Sequence, residues 1–173
     1  SCEDIVLAQN FFAVNPETPR HDAGRGLLLR GDGKGSFKAV AGQESGLLVY
    51  GEQRSVSVAD FNHDGRSDVV ITQNGAPVKL YRNRGSAPGL RVVLEGRGAN
   101  RDAIGASIRL ATDNAPRRVV TAGSGFASQN ATAQILTKPA SASNLEITWP
   151  NGDRSVEHVA PEQASVRFVQ KSK

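Results

Sequence analysis

The stretch that decides the fold of this chain is Asp60-Phe61-Asn62-His63-Asp64-Gly65-Arg66-Ser67-Asp68. Oxygen-bearing side chains occupy alternate positions of this stretch, around a glycine that permits a tight bend. A hard cation such as Ca²⁺ takes about 6–8 oxygen ligands, and a short loop of this pattern supplies several of them. The sequence therefore predicts a calcium loop whose ligands are the side chains of Asp60, Asn62, Asp64 and Asp68 and the main-chain carbonyl of Arg66.

The segments that flank this loop have the composition of β-strands. Val56 and Val58 alternate with serines before it, and Val69-Val70-Ile71 follows it. The bidentate glutamate of a helix-loop-helix calcium site would fall on Ile71, which is apolar. We therefore predict a strand-loop-strand unit in which Ca²⁺ acts as a structural clip, with a solvated polar turn as the alternative.

Composition bounds the class of protein. The chain has 173 residues, of which 38% are hydrophobic and 22% are charged, as in an ordinary soluble globular protein. No apolar run approaches the length of a membrane span. The net charge of +4 comes from arginines that are not interleaved with aromatic residues, so we expect a solvated basic face and no nucleic-acid binding. Cys2 is the single cysteine, which excludes an internal disulfide.

The N-terminal half contains an internal repeat. Residues 4–10 recur as residues 68–74, with the shared pattern of an acid, an apolar strand and a Gln-Asn turn, and residues 28–33 align with residues 80–85. In this alignment Asp4 takes the place of Asp68, so the first copy begins without its own calcium loop. About one and a half repeats cannot close a β-propeller. We therefore expect further propeller blades in a parent protein, which also agrees with the lack of any methionine.

The C-terminal half is predicted to be a second domain. After a break at residues 85–89 the chain shows short strands with one apolar face, separated by turn signals such as Pro150-Asn151-Gly152-Asp153. We predict an all-β chain with two domains: truncated propeller blades over residues 1–87 and a small antiparallel β-sandwich over residues 88–173.

Several runs carry a resemblance to known families. The calcium loop and the run Gly31-Asp32-Gly33-Lys34-Gly35-Ser36-Phe37 resemble the FG-GAP/VCBS repeats of integrin-like β-propellers. In the C-terminal half, three runs resemble the ASPIC/UnbV domain: residues 100–106, residues 123–129 and Ile147-Thr148-Trp149-Pro150-Asn151-Gly152. The tandem order is similar to that of the cartilage acidic protein family, although residues 135–139 depart from the Phe-Gly-Leu-Gly-like run of many members.

The resemblance implies a calcium-binding, extracellular or periplasmic module that binds a protein or glycan of a cell surface or matrix. We expect no catalysis, because a loop that uses its oxygens on one ion leaves little open coordination for a substrate. Two alternatives stay open. One is an accessory domain of a larger enzyme, and the other is a secreted structural or assembly protein that self-associates through open β edges.

Other motifs have ordinary structural explanations. Residues 100–106 and 123–129 could form a polar binding surface, although turn chemistry is the more economical interpretation. Trp149 is expected in the core, Arg30-Gly31-Asp32 in a hairpin connection rather than in integrin recognition, and Asn130-Ala131-Thr132 is a glycosylation sequon only in a eukaryotic secretory pathway. The three histidines, at positions 21, 63 and 158, lack the spacing of a zinc site.

Overall fold

The structure is a computed structural model that describes residues 2–22, 24–112 and 115–171. Strands dominate this part of the chain, and its one helix, α1 (Gly42–Ser45), is a single turn. The N-terminal strands are β1 (Ile5–Leu7), β2 (Leu27–Gly31), β3 (Phe37–Val40), β4 (Glu52–Ala59), β5 (Asp68–Asn74) and β6 (Lys79–Tyr81). The C-terminal strands are β7 (Leu90–Glu95), β8 (Ser107–Leu110), β9 (Arg118–Val119), β10 (Gln134–Leu136), β11 (Ser143–Thr148), β12 (Arg154–Val159) and β13 (Ser165–Val169).

The N-terminal strands form two antiparallel sheets that repeat one pairing scheme. The first sheet has the order β1-β2-β3 and the second sheet the order β4-β5-β6. Ile5 pairs with Leu29 in the first sheet as Val69 pairs with Tyr81 in the second. The remaining pairs of β1 with β2 correspond in the same way to pairs of β5 with β6. The internal repeat seen in the sequence is therefore a repeat of strand register.

These two sheets pack face to face around a small core. Leu47, Val49 and Ile71 are buried at its centre. Val6 and Leu28 of the first sheet contact this cluster from one side, and the second sheet contributes the half-buried side chains of Val56, Val69 and Tyr81. Because successive side chains of a strand point to opposite faces of its sheet, the residues of this cluster define the faces that the two sheets turn to each other.

The C-terminal strands form a two-layer sandwich. One layer has the order β10-β7-β13 and the other the order β12-β11-β8-β9. The layers enclose a second core centred on Leu90, Ile108, Leu145 and Ile147, all at most 1% exposed. Trp149 is buried in this core, as predicted, and its Nε1 donates to Ser155 Oγ at 3.0 Å. A buried indole with its N–H satisfied is a packing residue and not a ligand platform.

One pairing in the sandwich differs from the prediction of antiparallel strands. β13 lies parallel to β7, with Val166 opposite Val92 and Phe168 opposite Leu94. Two strands joined by a hairpin must be antiparallel. β7 and β13 are separated in the sequence by five other strands, so no hairpin fixes their relative direction. A strand shows the same alternation of apolar residues whether it pairs parallel or antiparallel, so the sequence pattern alone does not distinguish the two pairings.

The core between the two N-terminal sheets gives a direct stability prediction. Ile71 is 0% exposed and joins both sheets, so Ile71→Ala should lower the free energy of unfolding by about 2–5 kcal/mol in urea unfolding. Ile5→Ala removes the same atoms from a side chain that is 37% exposed, and its cost should be clearly smaller. Equal costs for the two variants would contradict this packing of the sheets.

Candidate calcium site

The predicted calcium loop connects β4 to β5 as a series of tight bends. Two of its residues adopt left-handed backbone conformations, His63 with φ of 59° and Gly65 with φ of 78°. Gly65 is also required for a close approach, because a Cβ at this position would lie 2.9 Å from the carbonyl oxygen of Gly89. The loop is therefore shaped both by its own turns and by contact with the segment that leads into β7.

Asp60, at the start of the loop, is a buried carboxylate. Its side chain is 1% exposed. Oδ1 accepts a hydrogen bond from the Asp64 main-chain N–H at 2.9 Å, and Oδ2 accepts one from the Gly65 N–H at 3.1 Å. The Arg91 guanidinium, on β7, lies with Nε 3.8 Å from Oδ2. Both the loop backbone and the C-terminal sandwich therefore compensate this buried charge.

Asp68, at the end of the loop, is 2% exposed and connects three segments. Oδ2 accepts from the Phe61 N–H at 3.1 Å and so closes the loop on itself. Oδ1 accepts from the Asn83 N–H at 2.8 Å, beyond β6. In the first repeat, Asp4 Oδ1 accepts from the Gly31 N–H at 2.9 Å. Asp4 and Asp68 therefore have the same structural role, as their alignment in the sequence suggested.

Asp64, in the middle of the loop, contacts two arginine side chains, more than Asp60 or Asp68 does. Its Oδ2 accepts from Asn62 Nδ2 at 2.9 Å and from Arg82 Nη2 at 3.2 Å, and Arg66 Nη1 lies at 3.5 Å. Its Oδ1 accepts from the Arg66 N–H at 3.0 Å. The Asn62 hydrogen bond is the largest cause that lowers the pKa of Asp64, and Arg82 and Arg66 lower it further against the raising effect of burial.

The five predicted ligand residues thus share one loop, but its acids already have partners, both within the loop and from Arg82, Asn83 and Arg91 outside it. Within the described ranges, no three His, Cys, Asp or Glu side chains are grouped so that they could hold a metal ion. The donor types suit a hard cation, since they are carboxylate and amide oxygens. The arrangement differs from a cation site at Asp64, because its Oδ2 already accepts hydrogen bonds from Asn62 Nδ2 and Arg82 Nη2.

Sequence reasoning missed three residues of this site: Arg82, Asn83 and Arg91. Asn83 occupies the position of Gly31 in the repeat alignment, and this equivalence could have identified it as the partner of Asp68. Arg82 is adjacent to it in the same strand connection. Arg91 carries no such signal, because its contact with Asp60 depends on how the sandwich docks on the loop.

The loop and its neighbour β4 join the two halves of the chain. The Gly89 N–H donates to the Gly65 carbonyl at 2.7 Å. On the free side of β4, the Val58 N–H donates to Asn130 Oδ1 at 2.8 Å, and the Ala131 N–H donates to the Val58 carbonyl at 2.9 Å. Asn130, the asparagine of the sequon, is therefore half-buried in this joint, where its side-chain amide pairs with the strand as a backbone group would.

The two polar runs of the sandwich are built differently from one another. In residues 100–106 the Asn100 side chain closes the loop, since Oδ1 accepts from the Ile104 N–H and Nδ2 donates to the Ile104 carbonyl, both at 2.9 Å. This is the turn chemistry we expected. Residues 123–129 instead present Phe126, which is 72% exposed, with the Arg54 guanidinium 4.7 Å from the ring centroid.

The Arg30-Gly31-Asp32 tripeptide lies at the end of β2, where its charged groups already have partners. Arg30 Nη2 is 3.7 Å from Glu44 Oε1. Asp32 Oδ1 accepts from the N–H groups of Lys34 and Ser36, at 2.7 and 3.1 Å. This is the geometry of a capped hairpin turn.

Two families match the chain. The FG-GAP-like repeat family matches residues 3–71, and the family described as ASPIC and UnbV matches residues 96–173. The first match contains the whole Asp60–Asp68 loop, and the second begins directly after β7. No protein of the curated set matches. The two matches confirm, in the same order along the chain, the two domain resemblances drawn from the sequence.

The lowered pKa of Asp64 predicts how acid acts on the metal-free protein. Since the folded-state pKa lies below the ordinary value of 3.8, ionised Asp64 stabilises the fold above the unfolded-state pKa, and this contribution is lost as pH falls through the folded-state pKa. In EDTA, wild type should exceed Asp64→Asn in unfolding free energy at neutral pH, and the difference should shrink in acid. Urea unfolding over a pH series measures it.

Asn62→Ala is the matched variant for this experiment. It removes the largest cause of the lowered Asp64 pKa, so the loss of stability in acid should begin at a higher pH than in wild type. A difference between wild type and Asp64→Asn that is constant with pH would show that the Asp64 contacts are not formed in solution.

Proposed function

We propose that this chain, an FG-GAP-like repeat followed by an ASPIC and UnbV domain, is an extracellular or periplasmic β module that binds a surface or matrix protein or a glycan. The role is recognition on a rigid scaffold and not catalysis. Among the described residues no helix is long and apolar enough to cross a membrane. FG-GAP repeats are typically extracellular, and extracellular calcium modules bind the ion with Kd of about 10⁻⁴–10⁻³ M.

Calcium is proposed as a structural clip in the Asp60–Asp68 loop. The residues that would hold it are Asp60, Asn62, Asp64, Asp68 and the main-chain carbonyl of Arg66. When bound, the ion would supply positive charge to acids that stand within one turn. Asp64 would then exchange its contacts with Asn62 and Arg82 for the ion, while Asp60 and Asp68 keep the amide hydrogen bonds that shape the loop.

The position of Asp60 is the observation that carries this proposal. Its buried carboxylate lies where the repeat meets the sandwich, beside Arg91, and Gly65 of the same loop accepts a hydrogen bond from the Gly89 N–H. A cation in the loop would therefore stiffen the joint as well as the turn. A structural ion at this position would fix the orientation of the repeat relative to the sandwich, and so would hold the surfaces of both domains in one arrangement for binding.

The proposed contact surface is the hairpin of residues 123–129 with its neighbour Arg54. Phe126 is largely exposed and stacked with a guanidinium. Aromatic and arginine side chains are the residues enriched at energetic centres of interfaces. The hairpin is anchored, since Ser124 Oγ accepts from the Asn130 N–H at 2.8 Å and Asn130 contacts β4. The accessory-domain and assembly alternatives stay predictions.

Calcium binding is tested by thermal unfolding with excess Ca²⁺ and with EDTA. A ligand that binds only the folded state stabilises it by about 2.7 kcal/mol at 100 times Kd, so wild type should melt at a higher temperature in Ca²⁺. Asp64→Ala should lose most of this shift. Asp22→Ala removes an exposed acid outside the loop and should keep it. An unshifted wild type would mean that the loop is a polar turn.

Recognition is tested with a glycan array and a panel of purified matrix proteins, probed with the labelled chain in Ca²⁺. Phe126→Ser should weaken retention at least about tenfold, because a central aromatic anchor contributes about 2 kcal/mol or more. Val156→Ser, an exposed apolar residue of β12 that is 63% exposed, is the control. Equal retention of the two variants would exclude the hairpin as the contact surface.

A further inference from the structure

The sandwich contains a cavity at one of its open edges. β9 is the last strand of one layer and β10 is the last strand of the other, and residues of both strands line a cavity of about 220 Å³. This volume is below the range of about 300–1,000 Å³ that is usual for drug-sized ligands. The cavity therefore suits a small ligand. Its walls are largely apolar and are formed by Leu110, Ala115, Pro116, Leu136, Pro139 and Ala140.

Arg118 brings a positive charge to the inner side of this edge. On β9 it pairs directly with Ile108 of β8, and directly paired residues place their side chains on the same face of a sheet. Ile108 is 0% exposed and belongs to the core, so the Arg118 side chain starts from the core side of its layer. The next residue, Val119, is 49% exposed. An arginine thus occupies a strand position at which an apolar residue is expected.

One hydrogen-bond donor of this arginine is unused. Arg118 Nη2 donates to Glu3 Oε2 at 3.1 Å and lies 2.9 Å from Glu3 Oε1. Arg118 Nε is buried and has no hydrogen-bond partner within residues 2–22, 24–112 and 115–171. A buried donor without a partner costs free energy, which an incoming acceptor would recover. Because a guanidinium has five N–H groups, Arg118 can bind a further oxygen while Glu3 keeps Nη2.

Lys138 is a second cation that lines the same cavity. It lies two residues beyond β10, and its Nζ donates to the Glu162 carbonyl at 3.3 Å. An ammonium has three donors, so this contact leaves donors for an anion. Among the described residues that line the cavity, none is acidic. The charges of the cavity therefore complement an anion, and its walls complement an apolar chain.

We propose that this cavity binds a small monocarboxylate with a short aliphatic tail. The carboxylate is held by Arg118 and Lys138, and the tail packs against the walls around Leu110 and Leu136. A carboxylate suits a guanidinium because its two oxygens accept parallel, charge-assisted hydrogen bonds. This inference goes beyond the proposed function, since the cavity shares no residue with the calcium loop or with the 123–129 hairpin.

An inward-pointing charge on an edge strand has a second physical role, which is to prevent pairing with strands of other molecules. That role needs neither an apolar cavity beside the charge nor a second cation that lines it. It also predicts no binding of a carboxylate and no dependence on the length of an aliphatic tail. A binding measurement over a series of chain lengths therefore separates the two roles.

The experiment titrates the isotope-labelled chain with acetate, butanoate, hexanoate and octanoate and follows the backbone amide signals by NMR. The amides of Leu110, Leu136 and Lys138 should shift. Affinity should rise about fourfold with each methylene that becomes buried. At about 30 Å³ for each water-sized group the cavity holds about seven such groups, so the rise should end near hexanoate. Hexan-1-ol and hexylammonium lack the negative charge and should bind at least about tenfold more weakly than hexanoate.

Arg118→Gln should weaken hexanoate binding at least about tenfold, because it removes charge-assisted hydrogen bonds. Arg109→Gln is the matched control: it removes the same charge from an exposed position of β8 and should keep the affinity of wild type. Glu3→Gln removes the charged partner of Arg118 without changing the arginine. It should not weaken hexanoate binding, although a purely structural role of the Glu3 and Arg118 pair would make both variants equivalent.

Lys138→Gln and Ala140→Leu test the site independently if Arg118→Gln does not match the melting temperature of wild type. Lys138→Gln should weaken every carboxylate of the series alike. Ala140→Leu fills part of the cavity, so it should leave acetate binding unchanged and end the rise at a shorter chain. Three results overturn the proposal: no shift of the cavity amides with any carboxylate, an affinity that is independent of chain length, and equal weakening by Arg118→Gln and Arg109→Gln.

Discussion

The burial of the Asp60 carboxylate is the constraint on which the rest of the structure depends. A carboxylate at this depth is accommodated only when its oxygens are hydrogen-bonded, because a buried polar group without a partner costs free energy. Its partners are the Asp64 and Gly65 amides and, across the joint, the Arg91 guanidinium. The turn must therefore close tightly and the sandwich must dock on it for this charge to be accommodated.

The features that sequence predicted are those set by local chemistry or by repetition. Alternate oxygen side chains around Gly65 define a loop regardless of what surrounds it, and the repeat of residues 4–10 in residues 68–74 reappears as an identical strand register. The equivalence of Asp4 and Asp68 held to the level of single hydrogen bonds. The sequence repeat thus predicted that two distant segments have the same strand pairing and the same hydrogen bonds, which composition alone could not predict.

The features that sequence did not predict depend on long-range docking. The parallel placement of β13 beside β7, the contact of Arg91 with Asp60, and the pairing of Asn130 with Val58 each join residues from separate elements. None of these contacts produces a local pattern of residues that could be recognised in the sequence. The engagement of Asp64 by Arg82 belongs to the same group, because Arg82 lies 18 residues farther along the chain.

The pairing of Val58 with Asn130 has a consequence for the nascent chain. These partners are 72 residues apart, and at about 5–20 residues per second the ribosome needs roughly 4–14 s to add that length. During this interval the free side of β4 can pair with any strand it meets. The edge of β4 is therefore covered only after residues 130 and 131 have been synthesised. A stalled or truncated translation product that ends before residue 130 would expose this edge and would be the form most prone to aggregate.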